Sequence, residues 1–121
     1  MGKIKTENKY IYEITEKLKE LNPYKIVLFG SYAKKETAEN SDIDIMVILD
    51  SQKIASNYDE KMKNKLKVRR NIYEFSKKVP IDLLVYTKAE YDIISASKNS
   101  FYNEIKDTGK ILYEKTDQRL D

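Results

Sequence analysis

The stretch that decides the fold covers residues 25–49 and reads KIVLFGSYAKKETAENSDIDIMVIL. It contains two apolar runs, Lys25–Phe29 and Asp42–Leu49, each with the length and the branched residues of a β-strand. The second run is apolar on both faces beyond its first turn, which is typical of a central strand. Gly30 and Ser31 follow the first run directly, where a tight turn can open a short helix near Ser31. The polar segment after that turn predicts a loop.

Helices and strands alternate along the rest of the chain. The predicted elements are an amphipathic helix in roughly the first twenty residues ended by Asn22-Pro23, a long helix from about Asn57 to Pro80, a strand at Ile81–Tyr86, a helix opened by Thr87 and Glu90, a helix over about Ser100–Thr108 stopped by Gly109, and a short strand at Ile111–Tyr113. This pattern predicts a mixed α+β fold, with a small sheet backed by helices in a single domain over residues 1–121. It does not fix the strand order.

The composition limits the chemistry. The 121 residues include no His and no Cys, so the chain has no thiolate nucleophile, no imidazole base and no zinc site of the usual kind. A bound metal must use carboxylate, carbonyl or water oxygen, which selects hard cations such as Mg²⁺ or Mn²⁺. No stretch approaches the ~18 apolar residues of a membrane span, so we expect a cytoplasmic protein with no membrane partner.

Three aspartates stand at the starts of apolar strands. Asp42 and Asp44 are two apart, so their side chains project from one face, roughly 7 Å apart between α-carbons. Asp82 repeats the arrangement between Ile81 and Leu83. If the two strands are neighbours, the carboxylates converge and can bind two divalent ions, as in-line nucleotidyl transfer requires. Taken alone, an Asp-x-Asp is a weak signal that is more often an exposed strand start, and Asp82 alone is also compatible with a strand end in solvent.

The Gly30-Ser31 pair completes a possible site. A glycine lets the backbone approach phosphates, and helix-start amides and a serine hydroxyl can donate hydrogen bonds to them. By itself the pair is only a turn. Its spacing is informative, because ten residues from Tyr32 to Ser41 separate it from Asp42-Ile43-Asp44.

With these residues the chain resembles the DNA-polymerase-beta-like nucleotidyltransferase superfamily, in its minimal form. The signature of that superfamily is Gly-Ser, ten residues, then Asp-x-Asp, with a third Asp on a later strand. The resemblance implies that Asp42 and Asp44 bind two Mg²⁺ ions, that Asp82 binds only the catalytic one, and that Gly30 and Ser31 hold the triphosphate of the substrate ATP.

Two further positions carry over from the resemblance. Ser41 would steady the turn into the metal-bearing strand, and Lys34 would contact phosphate. Many relatives have Arg-Gly where this chain has Lys34-Lys35. Lysine keeps the positive charge but lacks the bidentate guanidinium fork.

The acceptor of the nucleotide is also implied by the resemblance. Minimal nucleotidyltransferases are typically paired with a HEPN-type ribonuclease toxin and act as its antitoxin by transferring AMP to a tyrosine. Two alternatives stay open: a non-catalytic antitoxin or binding protein, and the catalytic subunit of a small-molecule nucleotidyltransferase.

A basic run lies on the predicted long helix and consists of Lys61, Lys63, Lys65, Lys67, Arg69 and Arg70. Because alternate lysines spread around a helix, we interpret the run as mostly a solvated face. The net charge of the chain is only +3, so direct binding of nucleic acid is not expected.

Overall fold

A computed structural model of the chain describes residues 6–30, 33 and 42–116. The elements in chain order are α1 (Thr6–Leu18), a 3₁₀ turn (Lys19–Leu21), β1 (Lys25–Phe29), β2 (Ile43–Leu49), α2 (Tyr58–Asn71), α3 (Tyr73–Ser76), β3 (Ile81–Thr87), α4 (Lys88–Ser97), α5 (Ser100–Thr108) and β4 (Lys110–Glu114). The predicted mixed α+β fold is confirmed. In the described part of the chain, no helix has the length and apolar character needed to span a bilayer.

The four strands form one sheet in the order β3-β2-β1-β4. β1 pairs antiparallel with β2 and with β4, whereas β2 and β3 are parallel. β2 therefore lies in the interior of the sheet, as its apolar sequence predicted, and five of its seven residues are consecutive and buried, from Ile45 to Leu49. The strand begins at Ile43, one residue later than expected.

The two faces of the sheet carry separate apolar clusters. The first face packs against α1 and α2, and its buried residues include Ile14, Leu18, Ile45, Val47 and Val68. On the second face, a smaller cluster packs around Val27, Met46, Ile48 and Ile105 of α5, with Tyr91 of α4 at its edge. Since alternate strand residues point to opposite faces, Asp44 belongs to the same face as Met46 and Ile48.

The helix predicted to continue to Pro80 ends sooner. Its start is confirmed, because the Asn57 side chain accepts a hydrogen bond from the Glu60 amide (2.9 Å). At Ile72 the backbone leaves the helical region (φ −113°, ψ 21°), and only the short α3 follows. Ile72 is 2% exposed, and the break allows Phe75 to pack against the same core as Ile72. Hydrophobic spacing alone did not reveal this break.

Candidate active site

Asp44 lies at the centre of the candidate site. In the strand register it stands between Phe29 of β1 and Asp82 of β3. Register neighbours on adjacent strands share a face of the sheet and lie about 5 Å apart. The condition that the two acid-bearing strands are neighbours is therefore met, and their parallel pairing brings Asp44 and Asp82 to the same end of the sheet.

The three acids differ in their surroundings. Asp44 is half-buried, whereas Asp42, just before β2, and Asp82, on the outer strand β3, are exposed. This gives one carboxylate a fixed place within the sheet and leaves two at its rim, where a ligand from solvent can reach them.

Gly30 provides the backbone that lies against Asp44. It follows β1 with a φ of 74°, a left-handed conformation that side chains rarely adopt. A Cβ at this position would overlap Oδ2 of Asp44 and would lie 2.9 Å from its Cγ. The site therefore requires glycine at residue 30 for two reasons, backbone conformation and close approach to the carboxylate.

Burial raises the pKa of the Asp44 carboxyl above its usual range, and the nearby Asp82 and Asp42 raise it further. The cause is physical: partial loss of water and two like charges both disfavour the ionised form. A cation or a proton at this place would relieve the repulsion. The acids thus interact electrostatically, as the sequence predicted from their spacing.

The chemistry of this donor set fits a hard divalent cation. Carboxylate oxygen is what Mg²⁺ and Mn²⁺ prefer, and Mg²⁺ is commonly bound by one or two carboxylates together with substrate phosphates. Within residues 6–30, 33 and 42–116, no three acidic side chains form a ready-made cage for one ion. The arrangement accordingly fits an ion that is completed by oxygens from a phosphate substrate and water.

Three of the residues predicted for this site, Ser31, Lys34 and Ser41, lie outside the described residues. The short helix expected near Ser31 and the loop expected over residues 35–41 fall there as well, apart from Gly30 and Ala33. Their phosphate-binding roles stay predictions. The described part of the site consists of Gly30 and the three aspartates.

One feature of the site was missed from the sequence. Phe29, the register neighbour of Asp44, packs edge-to-face against Phe101 of α5, with ring centroids 6.2 Å apart and an interplanar angle of 89°. Phe101 is 37% exposed, so aromatic surface is available beside the acids. Phe29 could have been noticed because it adjoins Gly30, but nothing local connects it to Phe101.

Comparison with known proteins gives a family and a fold. The chain matches the family described as Nucleotidyltransferase domain over residues 11–119. No curated protein sequence matches the chain. A crystal structure from Sulfolobus solfataricus, provisionally assigned as a nucleotidyltransferase, is similar with 20% identity and a TM-score of 0.52, covering 94% of this chain and 92% of that one. A toxin–antitoxin crystal structure with AMP-PNP gives 23% identity and a TM-score of 0.52, covering 92% of this chain and 75% of that one.

Proposed function

Because the chain belongs to the nucleotidyltransferase domain family, we propose that it transfers AMP from ATP to a tyrosine hydroxyl of a HEPN-type toxin and so acts as the antitoxin. The observation that carries the proposal is the pairing of Asp44 with Asp82 across parallel strands, with the Gly30 backbone against the Asp44 carboxylate. A family match alone would not distinguish an active enzyme from a fold that has lost its acids.

The metal is part of the proposal. Asp42 and Asp44 would hold two Mg²⁺ ions, or Mn²⁺, and Asp82 would hold the catalytic one. When bound, divalent ions neutralise the charge that develops on the phosphates and lower the pKa of a coordinated hydroxyl. The raised pKa of Asp44 agrees with this assignment, because burial and the like charges of Asp82 and Asp42 disfavour its ionised form, and a bound cation would relieve that penalty.

The residues of the chain would act as follows. The tyrosine oxygen attacks the α-phosphorus of ATP, the bond from that phosphorus to the bridging oxygen breaks, and pyrophosphate leaves. Asp82 is exposed at the sheet rim and can accept the tyrosine proton as the general base. The chain has no histidine to compete for this role.

The triphosphate would be bound beside β2. We assign this role to Gly30, Ser31 and Lys34, with Ser41 steadying the turn before Asp42. Because Gly30 has no side chain, its backbone lies directly against the Asp44 carboxylate, and the turn that would hold the triphosphate stands beside the acids. The positive charge of Lys34 would offset the negative charge of the phosphates.

The nature of the partner is proposed from two considerations. The chain resembles minimal nucleotidyltransferases, which are paired with HEPN-type toxins, and a chain of similar fold comes from a toxin–antitoxin crystallised with AMP-PNP. AMP-PNP is an ATP analogue, which agrees with ATP as the substrate.

A direct experiment tests the transfer. The purified chain would be incubated with ATP, Mg²⁺ and the protein encoded by the adjacent gene, and the partner would be examined by mass spectrometry for an AMP adduct. We expect modification by the native chain, and none by Asp82→Asn or in excess chelator. Asp107→Asn serves as the matched control, since Asp107 is an exposed aspartate on α5, away from the strands that carry the acids.

Two results would count against the proposal. If Asp82→Asn modified the partner at the native level, Asp82 would not be the general base. A native chain that binds the partner but never modifies it, with no pyrophosphate released, would favour the non-catalytic antitoxin.

A further inference from the structure

A second cleft lies at the other end of the sheet from the aspartates. Its volume is about 500 Å³, and its walls include Leu49 at the end of β2 and Thr87 at the end of β3. Leu49 is five residues beyond Asp44 on the same strand, a separation of roughly 17 Å in an extended chain. The cleft is thus separate from the candidate active site. Its size is within the range of about 300–1,000 Å³ typical of small-molecule sites.

The cleft has a basic lining. Four lysines contribute to it, namely Lys53, Lys63, Lys67 and Lys115. The two lining acids are already engaged. Asp50 forms an ion pair with Lys115 (2.7 Å), and Glu60 accepts hydrogen bonds from the backbone and hydroxyl of Ser56 (2.8 and 3.0 Å).

The remaining three lysines form no ion pair in the described part of the chain; Lys63 and Lys53 interact with Glu60 only at longer range, where their charges add to the hydrogen bonds from Ser56 in lowering the pKa of its carboxyl. Lys53, Lys63 and Lys67 are exposed, and no carboxylate of a described residue lies within 4.0 Å of their amino groups. Lys63 and Lys67 are one helical turn apart on α2, so both amino groups face the cleft and repel each other. An anion between them would turn this repulsion into attraction.

The lining also includes apolar side chains and one side-chain amide that makes no hydrogen bond to a described residue. Ile54 is 55% exposed there, next to the buried Leu49 and the half-buried Leu21. Asn64 is half-buried in the lining, and its side chain has no hydrogen bond to any described residue. A ligand with one charged end and one flat apolar end with polar edges would match this mixed lining.

We propose that this cleft is a second, metal-independent binding site for a nucleoside polyphosphate. The phosphates lie against Lys53, Lys63 and Lys67, and the base covers Ile54, with Asn64 in reach of its polar edge. The lysines supply the charge that a divalent cation must supply at the aspartates. Binding at this site therefore needs no Mg²⁺.

Calorimetry with ATP in excess EDTA tests the site, because chelation removes the metal on which the aspartate site depends. We expect binding by the native chain, and at least a tenfold weaker affinity for the double variant Lys63→Gln/Lys67→Gln. The matched control is Lys77→Gln/Lys78→Gln, which removes the same charge from exposed positions after α3 and leaves the affinity unchanged. Circular dichroism verifies that both double variants are folded.

Further titrations separate the ligand classes. Pyrophosphate should bind more weakly than ATP. Ile54→Ser should lower the affinity for ATP but leave the affinity for pyrophosphate unchanged. Equal affinities for ATP and pyrophosphate would overturn the nucleoside assignment. A short single-stranded RNA that binds more tightly than ATP would assign the lysines to a nucleic-acid surface and overturn the proposal.

The test of the second cleft can succeed or fail independently of the proposed transfer reaction. Asp44→Asn should abolish AMP transfer and retain the full EDTA-resistant binding of ATP. No binding of ATP in EDTA, or equal binding by the Lys63→Gln/Lys67→Gln variant, overturns the second site and leaves the reaction at the aspartates untouched.

Discussion

Replacement of Gly30 by alanine tests the close approach on which the candidate site rests. Gly30 has a φ of 74°, and its backbone lies against the carboxylate of Asp44. A left-handed conformation costs about 1–2 kcal/mol for a residue with a Cβ. The new methyl group would also lie 2.9 Å from Cγ of Asp44 and would displace its carboxylate from its rotamer, at a further cost of about 0.5–1.5 kcal/mol.

The expected loss in the free energy of unfolding is the sum of these two costs, about 1.5–3.5 kcal/mol. At roughly 4 °C per kcal/mol for a domain of this size, the melting temperature should fall by about 6–14 °C. Transfer activity should be lost even at temperatures where the variant is folded, because the displaced carboxylate no longer faces Asp82. Urea unfolding followed by circular dichroism measures the stability, and pyrophosphate release measures the activity.

A double-mutant cycle separates the two costs. Asp44→Ala removes the atoms that the new methyl group would meet most closely and leaves only Cβ, at 3.3 Å. In that background, Gly30→Ala should cost only the conformational part, so the coupling between the two sites should be about 0.5–1.5 kcal/mol. Equal costs of Gly30→Ala in both backgrounds would refute the close contact.

In the absence of metal, Asp44→Asn should be more stable than the native chain at neutral pH, because the folded state disfavours the ionised Asp44 carboxyl and so raises its pKa. Thermal melts should show this gain in stability disappear as the pH falls through the folded-state pKa and the native carboxyl becomes protonated. Thr87→Ala should lower the free energy of unfolding by about 0.5–2 kcal/mol, since the buried Thr87 hydroxyl accepts a hydrogen bond from the Glu90 amide (3.1 Å) at the start of α4. Urea titration measures this loss, with Thr108→Ala as the comparison, because the half-buried Thr108 lies at the C-terminal end of α5 and caps no helix start. Ile105→Ala should cost about 2–5 kcal/mol, because Ile105 is 6% exposed in the second-face cluster; an unchanged urea midpoint would mean that α5 does not cover that face.

Local signals in the sequence predicted much of the fold. The apolar run at residues 25–29 became β1 with the same bounds, and the capping box at Thr87 and Glu90 is present in full. Such features depend on neighbours within a few residues, so the sequence contains the whole interaction. The carboxylate pair was predicted only on the condition that its strands were adjacent, because that adjacency depends on the crossover between them.

Contacts between distant segments could not be predicted in this way. The second oxygen of Glu90 accepts a hydrogen bond from the backbone of Ala55, 35 residues away, and thereby ties the segment after β2 to α4 (2.8 Å). The basic run was interpreted as a solvated face, yet Lys63 and Lys67 line a cleft that also needs the ends of β2 and β3. Spacing along one helix gives the direction of a side chain but not what stands opposite to it.

The parallel pairing of β2 and β3 has a consequence for folding kinetics. Parallel neighbours need a long crossover, here through α2 and α3, and the entropy of closing it is lost before the contacts form. When this pair closes, Asp44 and Asp82 are brought together as like charges, so their repulsion opposes the same step. Neutralising one of them should accelerate folding as well as slow unfolding, in proportion to how far the pair has formed in the transition state. The arrangement that brings the carboxylates together therefore slows the formation of the sheet that carries them.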